Sequence, residues 1–209
     1  MGTFNTNGVK SKKYGGSYPV WLTINQKERS GGTLEYLPPI GTIIRSGSLV
    51  SIDGAGGKAK IIETFEVAEN VTATDTTVKV QAYASHPKPT NGTNLMKSPT
   101  TVGTTGTGVA VAGVALDSAN GVVTFTIAAN AFGTLAKGDI LVKASKAGTG
   151  AKIYAVPSGL TENDVWVEEG DQYATVASVF HGEIMEDRIQ PIPDCIKEVL
   201  PQIKFQKGI

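Results

Sequence analysis

Two histidines, one cysteine and a late cluster of carboxylates are the side chains in this 209-residue chain that could do acid–base or nucleophilic chemistry. His86 stands before Pro87 in a stretch of loop composition, where an imidazole is normally solvated. His181 is followed by Gly182 and Glu183, which puts an imidazole and a carboxylate close enough in sequence to pass for part of a catalytic pair. No G-x-S-x-G elbow, H-E-x-x-H helix or D-x-[DN]-x-[DN]-G loop accompanies either histidine. Glu162, Asp164, Glu168, Glu169, Asp171, Glu183, Glu186 and Asp187 are numerous enough to suggest paired carboxylates, but spacing alone places no two of them in one cleft. Asp and Glu at such positions are expected for ordinary turn reasons. Cys195 has no second cysteine for a disulfide or a metal site, and only Lys197 stands near in sequence to activate a thiolate, so it reads as packing. Asp53-Gly54-Ala55-Gly56-Gly57-Lys58 imitates a phosphate loop. However, Ala59 stands where Ser or Thr is required, and a β-type run follows where a helix is needed. These residues call for no enzyme, cofactor or metal.

The elements that would position them are mainly strands. With 40% apolar and 18% charged residues, the chain is long enough for one substantial core or two small ones. Nineteen basic and nineteen acidic residues cancel, which argues against the basic face of a nucleic-acid reader. No apolar run approaches the ~20 residues that span a bilayer, so no membrane partner is expected, and the polar N-terminus points to a protein made in a cytoplasm. Residues 1–32 read as a flexible arm, rich in glycine, with a basic cluster at Lys10, Lys12 and Lys13 and an anchor of Tyr18 and Trp21.

From Leu34 onward, short apolar runs between glycines predict strands over Thr42–Ile44, Ser48–Ile52 and Lys60–Val67, with the glycine-rich 53–58 segment as a hairpin loop. Further strands are expected at Thr76–Tyr83, Gly108–Leu116, Gly121–Ala128, Leu135–Val142 and Lys152–Val156. Asn120-Gly121 marks a turn, and the threonine- and glycine-rich run from Ser98 to Gly108 reads as exposed loop. Asp194–Leu200 is the only helical stretch: Pro193 suits its first turn, Pro201 stops it, and Ile196, Val199 and Leu200 form its apolar face. The fold class is mainly β, a small sandwich or barrel-like core of short strands with one short C-terminal helix. A β-rich insertion from 69 to 139 divides that core into residues 33–68 and 140–209.

The last quarter carries Asp164-Val165-Trp166-Val167-Glu168, then a strand-like run from Ala174 to Ile184 ending in Gly182-Glu183-Ile184, then Ile196 to Phe205 with Leu200-Pro201-Gln202-Ile203-Lys204-Phe205. This order resembles the end of the lambda-type head decoration proteins of tailed bacteriophages. The resemblance covers about 34–68 and 140–209. It implies a structural virion protein on the outer surface of the phage head, a homotrimer whose partner is the major capsid protein. In that family an N-terminal arm is ordered by adding a strand to the shell, so the resemblance makes Lys10, Lys12, Lys13, Tyr18 and Trp21 the capsid contacts and His181 a subunit contact. The 69–139 segment has no counterpart in the family's simplest members, which suits a related class, the phage head fibre, whose projecting module touches host surfaces. A third reading is a surface adhesion module that binds host-surface glycan through Tyr83, Tyr154, Trp166 and Tyr173.

Overall fold

The computed structural model describes residues 19–28, 31–54, 57–82, 90–117 and 120–208. Its order begins with β1 (Trp21–Lys27), β2 (Gly32–Leu34), β3 (Ile43–Ile44), β4 (Leu49–Asp53), β5 (Lys58–Ile62) and β6 (Thr64–Glu66). The middle segment adds β7 (Thr77–Gln81), β8 (Asn94–Lys97), β9 (Gly106–Ala110), β10 (Gly113–Asp117) and β11 (Val122–Thr126). There follow β12 (Ile140–Lys143), β13 (Gly148–Ala151), β14 (Gly159–Thr161), β15 (Val165–Trp166), β16 (Thr175–Val176), β17 (Ser178–Met185), helix α1 (Asp194–Glu198) and β18 (Ile203–Gln206). The protein is mainly β, with α1 as its one α-helix among the described residues.

The largest sheet has eight strands in the order β1-β17-β14-β4-β5-β2-β16, and β18 adds to β17 in parallel. Only Ala177 separates β16 at one end from β17 near the other. The two ends are therefore successive pieces of one bent chain segment, and the sheet curls back on itself in a barrel-like form. Glu162 N–H donates to Ala177 O (3.0 Å) across this join. Gly159 lets β17 approach β14 closely, because a Cβ there would collide with Ser178 Oγ and Val179 O.

The main core lies inside this sheet and under α1. Leu49, Ile62, Leu160, Ile184, Ile196, Leu200 and Ile203 pack there, and Leu34, Ile44, Val50, Ala59 and Val176 form a smaller cluster. The helix forms between Pro193 and Pro201 as expected but ends at Glu198. Its buried side is Cys195 and Ile196 with Leu200 just beyond it, whereas Val199, expected on the apolar face, caps the helix and is exposed.

The middle segment builds a second core from Val71, Val78, Val80, Leu95, Val109, Val111, Val123, Phe125, Ile127 and Leu135, joined by Phe65, Val67 and Leu141 from its flanks. Two sheets enclose it: β10-β11-β7 and the five-stranded β13-β9-β8-β12-β6. Alternation along β8 and β12 divides their side chains between the two cores. Leu95 and Leu141 enter the second core, whereas Met96 and Val142 enter the first.

Several runs that read as single strands are broken where the chain changes sheet. Lys60–Val67 divides at Glu63 into β5 of the large sheet and β6 of the five-stranded one. Gly108–Leu116 divides at Val111-Ala112, where Val111 N–H donates to Thr93 O and Ala112 N–H to Thr126 O. Leu135–Val142 is strand only from Ile140 onward, and Lys152–Val156 is not a strand. Its one β contact is a bridge between Ile153 and Ala144. Within Ser98–Gly108, expected to be an exposed loop, the last three residues already belong to β9 and Val102 packs against the first core.

Candidate interaction surfaces

Most carboxylates of the late cluster are held by structural partners. Asp164 accepts from Arg45 Nη1 and from Ser46 N–H, both at 2.7 Å, and so pins the turn before β4. Glu162 pairs with Lys27, Glu183 with Lys204 and Glu186 with Lys197, at 2.7, 3.0 and 2.7 Å. Asp171 accepts from the N–H of Glu168 (2.7 Å) in a turn. Cys195 is buried, with Sγ 3.5 Å from Ser98 Oγ. Among the described residues no group of three His, Cys, Asp or Glu side chains converges as metal ligands would.

Trp21 and His181, two of the residues expected to make contacts, fall on one ladder. β1 pairs antiparallel with β17, Trp21 opposite Ile184 and Gln26 opposite His181. The Trp21 indole N–H donates to Thr161 O at 3.1 Å, and the ring packs against the first core. The second half of the segment read as an arm is thus a paired strand, and β2 is an interior strand of the sheet. Lys10, Lys12, Lys13, Tyr18, Tyr83 and His86 lie outside the described residues.

β1 is an edge strand, and the register along it shifts three times. The shifts leave Leu22 and Asn25 of β1 and Phe180 of β17 without an opposite residue. Leu22, Ile24 and Phe180 are exposed large apolar side chains on this ladder, whereas the sequence placed the anchor on Tyr18 and Trp21. The signal available in the sequence was the Trp21-Leu22-Thr23-Ile24 alternation.

A second surface is a cleft of about 470 Å³ beside β3 and β5, floored by Ile43, Ile44 and Ile61 and walled by Tyr36, Pro38 and Pro39. Its volume falls in the range of small-ligand sites. Tyr154 stands in it with two ammonium groups over the ring, Lys143 Nζ at 4.9 Å and Lys60 Nζ at 5.6 Å from the centroid. Each lysine also holds a carboxylate, Lys143 with Glu63 (3.1 Å) and Lys60 with Glu35 (3.2 Å). Trp166 lies behind Arg45, whose guanidinium carbon is 6.0 Å from the indole, while Tyr173 is exposed elsewhere. Of the aromatics grouped as a glycan platform, only Tyr154 lines this cleft among the described residues.

No helix among the described residues is long and apolar enough to cross a membrane. No protein-family model, curated protein or solved structure matches this chain.

Proposed function

We propose that this protein is a structural component of a phage head, a homotrimer bound to the outside of the capsid through its N-terminal region. One observation carries the reading: the β1–β17 ladder presents Leu22, Ile24 and Phe180 to solvent, and the sequence before β1 holds Lys10, Lys12 and Lys13. Apolar side chains next to a basic segment fit a subunit surface that offers apolar and acidic groups together. The late run Leu200-Pro201-Gln202-Ile203-Lys204-Phe205 supports it as well, since β18 lies parallel to β17 and joins the same sheet. His181, half-buried on β17 opposite Gln26, is assigned to the contact between copies.

The test is co-sedimentation with expanded phage heads lacking their decoration protein. A chain without residues 2–18 keeps β1 and Trp21 and is expected to stay folded while losing head binding. Undiminished binding by that truncation overturns the arm assignment. Light scattering is expected to return about three times the 21.8 kDa of the chain or a multiple of that mass at micromolar concentration, and a monomer overturns the trimer.

The cleft at Tyr154 favours a second reading, a head fibre or adhesion module that holds host-surface glycan. Aromatic faces with carboxylates and ammonium groups at their edges are suited to sugar C–H faces and hydroxyls. Retention on a glycan array, abolished by Tyr154→Ala, would establish it.

A further inference from the structure

We infer that β10 is an interface between two copies of this chain, which pair antiparallel along the edge that no described strand occupies, about a two-fold axis at Ala115. Two rows of apolar side chains cross the three-stranded sheet. Leu116 stands opposite Val123, which stands opposite Val80; Val114 stands opposite Phe125, which stands opposite Val78. Cross-strand partners share a face, so all six belong to the face that forms the second core. Exposure along the rows is uneven: Val80, Val78 and Phe125 are at 0% and Val123 at 1%, but Leu116 is 50% and Val114 36% exposed. The apolar face continues onto an outer strand that nothing in the described chain covers.

Other outer strands are blunted in ways that β10 is not. β1 carries three register shifts and Lys27. β13 has a shift between Thr149 and Ala151 and holds Gly148 and Gly150 at φ +83° and +70°. The outer side of β7 is closed by the Val67 to Val80 bridge and by Ala68 N–H donating to Lys79 O at 2.8 Å. β10 pairs with β11 residue for residue over all five positions, without a bulge, a proline or a basic residue. Its single charge, Asp117, sits at the end and accepts from Asn120 Nδ2 at 2.7 Å. Natural sheets normally guard such an edge, and this one is regular and apolar.

A second copy is the occupant because the strand is complementary to itself. With Ala115 on the axis, Val114 faces Leu116 of the partner and Leu116 faces its Val114, which extends both core rows across the join. The contact is isologous, so it links copies in pairs and leaves a three-fold contact elsewhere untouched. On a shell it would tie neighbouring trimers together.

The experiment is disulfide trapping of the full chain with Ala115→Cys. Partner Cβ atoms across such a pair stand about 5 Å apart, near disulfide geometry. Mild oxidation is expected to give roughly tenfold more covalent dimer than Thr74→Cys, an exposed turn position that reports random collision, because pairing raises the effective thiol concentration. Adding Leu116→Lys to Ala115→Cys is expected to return the yield to the collision level with the far-UV spectrum unchanged. If that variant is misfolded, Val114→Thr with Ala115→Cys replaces it. The wild type, with buried Cys195, controls for the native thiol. A yield equal to that of Thr74→Cys, or one indifferent to the charge or to the threonine, overturns the pairing. Trapping without head binding would leave β10 standing and remove only the decoration reading.

Discussion

At the scale of single residues, the polar side chains act as fasteners. Asp139 shows the balance most clearly. Partial burial works against its charge, but the Lys97 ammonium at 2.7 Å and the Ala136 N–H at 2.9 Å outweigh it and hold the carboxyl below its ordinary value. A carboxyl depressed by folding contributes stability above its unfolded value, near pH ~3.9, and loses it as pH falls through the lower folded value. Asp139→Asn is therefore expected to be less stable than wild type at pH 6, with the gap closing toward pH 2 in denaturant titrations. Asp75 follows the same rule by a different cause, since the Thr72 N–H donates to its carboxylate at 2.7 Å and lowers it in a fully exposed turn. Of the candidate site, the residue types were legible in the sequence, but their assignments were not. Glu162, Asp164, Glu183 and Glu186 pair with basic residues from 11 to 135 positions away, a range over which sequence spacing carries no geometry. Tyr154 was legible as an aromatic, but its two lysines come from β5 and β12, which meet it only in the folded chain.

At the scale of elements, β17 decides how much of the large sheet holds together. Gly182 lets β1 approach it: a Cβ there would meet Thr23 O at 2.5 Å and the Trp21 ring at 3.2 Å. Gly182→Ala must push β1 outward or shift β17, so a loss of about 2 kcal/mol is expected, read by urea denaturation. Hydrogen exchange should quicken in Trp21–Lys27 before it changes in β4 or β5. Strand positions were largely legible, since apolar runs and turn residues mark β4, β7, β11 and β17, and two prolines mark α1. What escaped was the switching of sheets within a run, at Glu63 and Val111-Ala112, and the bend at Ala177 that carries the chain from one end of the large sheet to the other. A strand that passes from one sheet to the next keeps its apolar residues because a core awaits them on either side, so composition shows no break. β13, Gly148-Thr149-Gly150-Ala151, escaped for the opposite reason: its residues have little strand propensity, and pairing with β9 imposes the form.

At the scale of the whole molecule, β8 and β12 are a wall with a core on each face. Leu141 and Val142 are adjacent in sequence, both fully buried, and belong to different cores. The two cores cannot be loosened independently, because the wall's backbone ladder is common to both. Leu141→Ala and Val142→Ala are each expected to cost about 2–4 kcal/mol and to lower one calorimetric transition as a whole. Two resolved transitions, each moved by only one of the variants, would sink that coupling. The same wall makes residues 69–139 a poor candidate for excision, since removing them takes β8 from between the cores and leaves Met96 missing from the first.

The bent segment that joins the two ends of the large sheet also sets a timetable. β17 receives β1 and β14 along antiparallel ladders and β18 in parallel, and one of those partners lies near the beginning of the chain. During synthesis β1 must wait for about 150 further residues before its ladder can form, whereas β7, β10 and β11 become available within fifty residues of one another. The middle segment can condense early on local contacts, and the curl can close only when residue 185 has left the ribosome. Until then the Trp21 ring and the inner face of β14 lack the partner that β17 supplies, so the ladders on the strand that closes the sheet are also the last of the large sheet to form.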